Sequence, residues 1–107
     1  MSYKIVIIGN EDAVGGFKAI GIDAIGIRTK EECEEKLQAV YNSNDYGIVF
    51  ITEDWMDQIK NFLNELPPKA LPSIVAVPSQ AGSTGAGLAN LKKIVEQAVG
   101  SDILSNN

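Results

Sequence analysis

The sequence contains no histidine, a single cysteine (Cys33), four prolines and one tryptophan (Trp55). Without histidine the chain lacks the commonest general base near neutral pH and the commonest metal ligand. A lone cysteine cannot build a disulfide framework, so a reducing cytosol is the expected setting. No apolar run approaches the roughly 20 residues that a membrane-spanning helix needs, and direct membrane insertion is not expected. Met1-Ser2-Tyr3-Lys4 leads straight into the first apolar run, without the layout of a signal peptide. Positive charge is scarce as well. Nine Lys and Arg face 14 Asp and Glu, for a net charge of -5. That balance argues against nucleic acid or an anionic membrane surface as a partner.

What the sequence does have is alternation. Four short aliphatic runs, at 5–8 (IVII), 24–27 (AIGI), 48–51 (IVFI) and 74–77 (IVAV), are separated by amphipathic stretches. Strands buried on both faces read as continuous apolar runs. With helices between them they predict an α/β fold, a parallel sheet in three layers. The second run is short and carries Gly26, and the fourth is bracketed by Pro72 and Pro78, so both suit sheet edges. Right-handed crossovers then give the strand order 2-1-3-4 of a receiver-like or flavodoxin-like sheet. A length of 107 residues suits one domain. We expect its core at about 1–79, a mobile Gly/Ser-rich loop at 79–87, and a C-terminal helix and tail at 88–107.

Local signals fill in the helices. Residues 13–20 suggest a short helix with Val14 and Phe17 inward, weakened by Gly15 and Gly16. Gly21-Ile22 has the form of a helix stop, a left-handed glycine followed by an apolar residue that folds back. Thr29-Lys30-Glu31-Glu32 is a capping box. Cys33, Leu37, Val40 and Tyr41 recur at helical spacing, which makes Cys33 a buried small hydrophobe. Thr52 is read as the cap of one further helix, with Glu53 and Asp54 in its first turn and Trp55, Ile59, Phe62, Leu63 and Leu66 as its buried stripe. Pro67-Pro68 stops it.

Ligands of such sheets bind where the strands end. Glu11-Asp12 and Glu53-Asp54 follow the first and third strands, and carboxylates clustered there can hold Mg²⁺. That is the layout of a receiver domain. The match fails in detail, because Thr52 stands where the phosphoacceptor aspartate would be and no fifth strand carries a lysine. Helix capping and dipole compensation account for the same carboxylates. The loop Gln80-Ala81-Gly82-Ser83-Thr84-Gly85-Ala86-Gly87 resembles a phosphate cradle, but it matches neither common glycine motif and contains no lysine. No catalytic, cofactor-binding or metal-binding residue is therefore assigned. Ile103 and Leu104 extend apolar surface into a polar tail and need a cover, either their own domain or a partner.

Four segments together carry a family resemblance. They are Gly16-Phe17-Lys18-Ala19-Ile20-Gly21-Ile22, Tyr46-Gly47-Ile48-Val49-Phe50-Ile51-Thr52-Glu53, Leu71-Pro72-Ser73-Ile74-Val75-Ala76-Val77-Pro78 and Ala98-Val99-Gly100-Ser101-Asp102-Ile103. In this order and at this length they resemble the F subunit of the A/V-type rotary ATPases. The resemblance implies a non-catalytic central-stalk component on the cytoplasmic face of a membrane-associated complex. It implies binding to the coiled-coil D subunit of the rotor inside the catalytic A/B head, in a machine that couples ATP synthesis or hydrolysis to ion transport. It also implies partner contact through the C-terminal part. Carried over by position, that contact falls on Leu91, Ile94, Val95, Val99, Ile103 and Leu104. A receiver-like signalling module and a phosphate-binding module stand as alternatives.

Overall fold

A computed structural model describes residues 3–78 together with Lys93. The element order is β1 (Lys4–Asn10), α1 (Glu11–Val14), a 3-10 helix (Gly15–Ile20), β2 (Asp23–Ile27), α2 (Lys30–Ser43), β3 (Tyr46–Thr52), α3 (Glu53–Gln58), α4 (Lys60–Glu65) and β4 (Ser73–Val77). The four strands form one parallel sheet in the order β2-β1-β3-β4. This is the expected order, with the two longest strands in the middle. Val6, Ile7 and Ile8 of β1 and Val49, Phe50 and Ile51 of β3 have no exposed surface.

Side chains alternate across the sheet and build two cores. On one face Ile5, Ile7, Ile48, Phe50 and Val77 pack with Val14, Phe17 and Ile22. On the other, Val6, Ile8, Val49 and Ile51 pack with Ile27, Cys33, Leu37, Val40, Trp55 and Ile59. Each fully buried aliphatic or aromatic side chain contributes about 1.5–3 kcal/mol, so these two rows dominate the stability of the described part.

The first connection departs from expectation. Residues 13–20 do not form one α-helix; a single α turn at Glu11–Val14 passes into the 3-10 helix. Gly15 and Gly16 fall at the change, where two residues that are poor α-helix formers end the α turn. The stop at Gly21 is as read. Its φ is 83°, its N–H donates to the Lys18 carbonyl, and Ile22 N–H reaches back to Phe17. Ile22 is buried, which completes the reversal.

Helix α2 begins with Thr29 Oγ1 accepting from Glu32 N–H at 3.1 Å. The return bond of the box shifts by one residue, since Glu32 Oε1 accepts from Arg28 N–H at 2.8 Å rather than from Thr29. The helix ends at Asn44, a left-handed residue with φ 63°. The long third helix is broken in two. Ile59, with φ -111° and ψ 22°, separates α3 from α4 while its own N–H still donates to Trp55 and Met56. Ile59 is fully buried, whereas Phe62, Leu63 and Leu66 are only partly covered. The break lets the buried stripe follow the sheet only as far as Ile59.

At the amino end of the sheet, Tyr46 Oη donates to Asp23 Oδ2 at 2.9 Å. Partial burial, and then this bond, push the phenol above its ordinary pKa. Cys33 lies inside α2's buried face, as expected. Burial first, and then the charges of Glu34 and Asp54, push its thiol from 9.0 up to about 11. The folded thiol thus keeps its proton in a range where the unfolded one loses it. Its contribution is complete below pH 9 and disappears as pH rises to 11, with a ceiling of about 3 kcal/mol. Urea midpoints of the wild type should therefore fall more steeply between pH 8.5 and 11 than those of Cys33→Ala. Parallel pH profiles for the two proteins would refute the assignment.

Candidate functional site

The order β2-β1-β3-β4 makes the β1/β3 boundary the switch point of the sheet. A crevice opens at this place in related architectures. Here the crevice is filled from both faces. On the α2/α3 face, Trp55 Nε1 donates to Asn10 Oδ1 at 2.8 Å, joining the end of β1 to the first turn of α3. The indole is buried and belongs to the core beneath it. On the opposite face Gly9 packs directly on Thr52 and Val14. A Cβ at Gly9 would stand 2.8 Å from Thr52 Cγ2, 2.9 Å from Oγ1 and 3.1 Å from Val14 Cγ1. Only glycine admits that approach. Gly26 serves similarly at the edge, where the backbone of Glu11 lies over it with Cα 3.1 Å from the position of an added Cβ.

Thr52 is where the sequence reading fails. It stands at the N-cap position of α3, but its side chain makes no cap hydrogen bond. As the last residue of β3 it continues the inward row of Ile48 and Phe50, on the face away from α3. Its hydroxyl is buried and has no hydrogen-bond partner among the described residues. Asn10 likewise precedes α1 without capping it, because its side-chain oxygen is engaged by Trp55. Residue type alone suggests a cap at both places; strand parity decides otherwise.

The carboxylates stand around this plug rather than inside it. Glu11, Asp12, Glu53 and Asp54 are exposed and lie in first turns of helices, as dipole compensation requires. Arg28 Nη2 approaches Glu11 Oε1 at 3.6 Å, with both side chains well exposed; such a pair contributes little. Among the described residues no three His, Cys, Asp or Glu side chains converge as metal ligands would. The depressions nearby are shallow, such as one of about 320 Å³ lined by Asn10, Glu11, Asp12, Ile27 and Arg28. A wider groove, about 570 Å³, lies at the other end of the sheet between Tyr41, Met56, Leu63, Leu66, Ile74 and the segment that follows α4. Neither the Trp55–Asn10 bond nor the Gly9–Thr52 contact carries a local sequence signal. The candidate phosphate loop and the partner residues Leu91, Ile94, Val95, Val99, Ile103 and Leu104 lie outside the described residues. Among the described residues no helix is long and apolar enough to cross a membrane.

An unpartnered hydroxyl and a cap give opposite outcomes on substitution. Thr52→Val keeps the shape and removes the buried polar atom, so it should be neutral or stabilise by up to about 1 kcal/mol. Loss of a cap would instead destabilise by about 1 kcal/mol. Urea unfolding of the variant distinguishes the two, and clear destabilisation would mean that the hydroxyl has a partner.

Residues 5–95 match the model of the ATP synthase (F/14-kDa) subunit family. The F subunit of the V-type ATP synthase of Fusobacterium nucleatum is 34% identical over 104 residues, covering 97% of this chain and 98% of that protein. Its counterpart in Clostridium botulinum (strain Eklund 17B) is also 34% identical, covering 97% of this chain and all of its own length. The F subunit of the A-type ATP synthase of Pyrococcus abyssi is 31% identical over 105 residues, with 94% and 97% covered. On this match over most of its length, the chain belongs to the F-subunit family of the V-type and A-type ATP synthases.

Proposed function

We propose that this chain is a non-catalytic component of the central stalk, which binds the elongated coiled-coil D subunit and sits with it inside the catalytic A/B head. In this reading it has no cofactor or metal of its own. It contributes to the coupling of ATP synthesis or hydrolysis to ion transport, on the cytoplasmic face of the complex. The observation that supports it best is the filled switch point. Trp55 with Asn10 on one face, and Thr52 with Gly9 on the other, occupy the place where a sheet of this order would hold a small ligand. A family member whose ligand crevice is closed by its own side chains is best used as a surface. Its acidic balance and its lack of histidine fit binding better than proton-transfer chemistry. In the same reading residues 1–107 act as one domain.

The partner surface in this reading is the C-terminal stretch, with Leu91, Ile94, Val95 and Val99 as a helical stripe and Ile103 and Leu104 beyond it. An apolar stripe of that spacing suits docking along another helix. The direct test is co-purification of the tagged chain with the coiled-coil rotor partner and with the A and B subunits. A paired measurement addresses the surface. Replacing Ile103 and Leu104 with Ser should weaken association with the coiled coil by about 1–3 kcal/mol, from lost apolar burial, and leave the urea midpoint of the free protein nearly unchanged. Normal binding together with early unfolding would make these residues core and move the interface elsewhere.

A further inference from the structure

Helix α2 has no basic residue in its last turn, so nothing of its own offsets the negative end of its dipole. The Tyr41 carbonyl is among the last four of the helix, which lack intrahelical donors. Both needs are met from far along the chain. Lys69 Nζ donates to the Tyr41 carbonyl oxygen at 2.6 Å and to Asn44 Oδ1 at 2.8 Å. It also stands 4.9 Å from the centroid of the Tyr41 ring. From the other side, Tyr41 Oη donates to the Pro67 carbonyl oxygen.

These bonds hold down a segment with little else to hold it. Between α4 and β4 there is no regular structure, and Pro67, Pro68, Lys69 and Ala70 are all exposed. Two of those residues are prolines and have no N–H to donate. Between its anchors, the end of α4 and buried Pro72, the segment is hydrogen-bonded to the end of α2 at Tyr41 and Asn44. The same segment forms one wall of the 570 Å³ groove, opposite Met56, Leu63 and Ile74.

We propose that residues 67–71 are a strap and that Lys69 is its latch: the ammonium group clamps the strap to the end of α2 and so sets the shape of the groove. Loss of the charge or of the donors at Lys69 frees residues 69–71 from the end of α2, while the Tyr41–Pro67 bond and the sheet stay in place. The latch does not depend on the stalk role proposed above.

Backbone ¹⁵N relaxation on the full chain tests it, with wild type, Lys69→Met and Lys69→Arg compared at Lys69 (or its replacement), Ala70 and Leu71. A latched strap gives order parameters near those of a rigid backbone, about 0.85, and a free one falls below about 0.6. The expected result is a rigid strap in the wild type and Lys69→Arg, and a mobile one in Lys69→Met. Chemical-shift changes should be confined to the strap and the end of α2, and the urea midpoint should change little. A strap that is mobile in the wild type, or equally rigid in Lys69→Met, overturns the proposal. Loss of order across the whole chain in Lys69→Met does so as well, because Lys69 would then support the fold in general.

Discussion

Parallel pairing of β1 with β3 is the constraint from which the rest of the architecture follows. The two strands are not neighbours in sequence, and both are buried on both faces. Their register, with Ile8 beside Ile51, sets two rows of side chains on opposite faces of the sheet. It also carries Gly9 onto Thr52 and brings Asn10 within reach of Trp55. A shift of one residue would exchange the faces of every side chain in the strand. The closed switch point is thus a consequence of register, and the same register leaves the surrounding carboxylates outside in water.

Much of this fold is legible in the sequence because the relevant forces are local or repetitive. Unbroken aliphatic runs report strands covered on both faces, and Pro72 with Pro78 frames an edge. Thr29 and Gly21 act through bonds only three to five residues long, so their roles can be read directly. Other features depend on what lies across the fold. Thr52 has a good residue type for a cap, yet its parity in β3 turns it toward the opposite core. Asn10 is diverted from the same duty by an indole far along the chain. The break at Ile59, a fully buried residue, is marked by no proline or glycine. The candidate site was legible as a location. Its closure was not, because closure rests on two long-range contacts.

The charge distribution follows a similar division. Acidic residues gather at the starts of helices, where backbone dipoles favour them. The opposite need, a cation at the end of α2, is met by Lys69 from another part of the chain. Short-range electrostatics thus shapes the carboxyl end of the sheet, and tertiary structure shapes the other end.

The placement of β1 between β2 and β3 also has a consequence for synthesis on the ribosome. The first strand to emerge is the one that finishes in the centre of the sheet. Its Ile5-Val6-Ile7-Ile8 run gains one neighbour when residues 23–27 appear, but its second neighbour ends only at Thr52. At about 5–20 residues per second, the nascent chain presents an unpaired aliphatic edge for a few seconds. Helix α2, whose bonds are local and whose start is capped at Thr29, can form during that interval. Its buried face would then offer the waiting strand a cover before the sheet is complete.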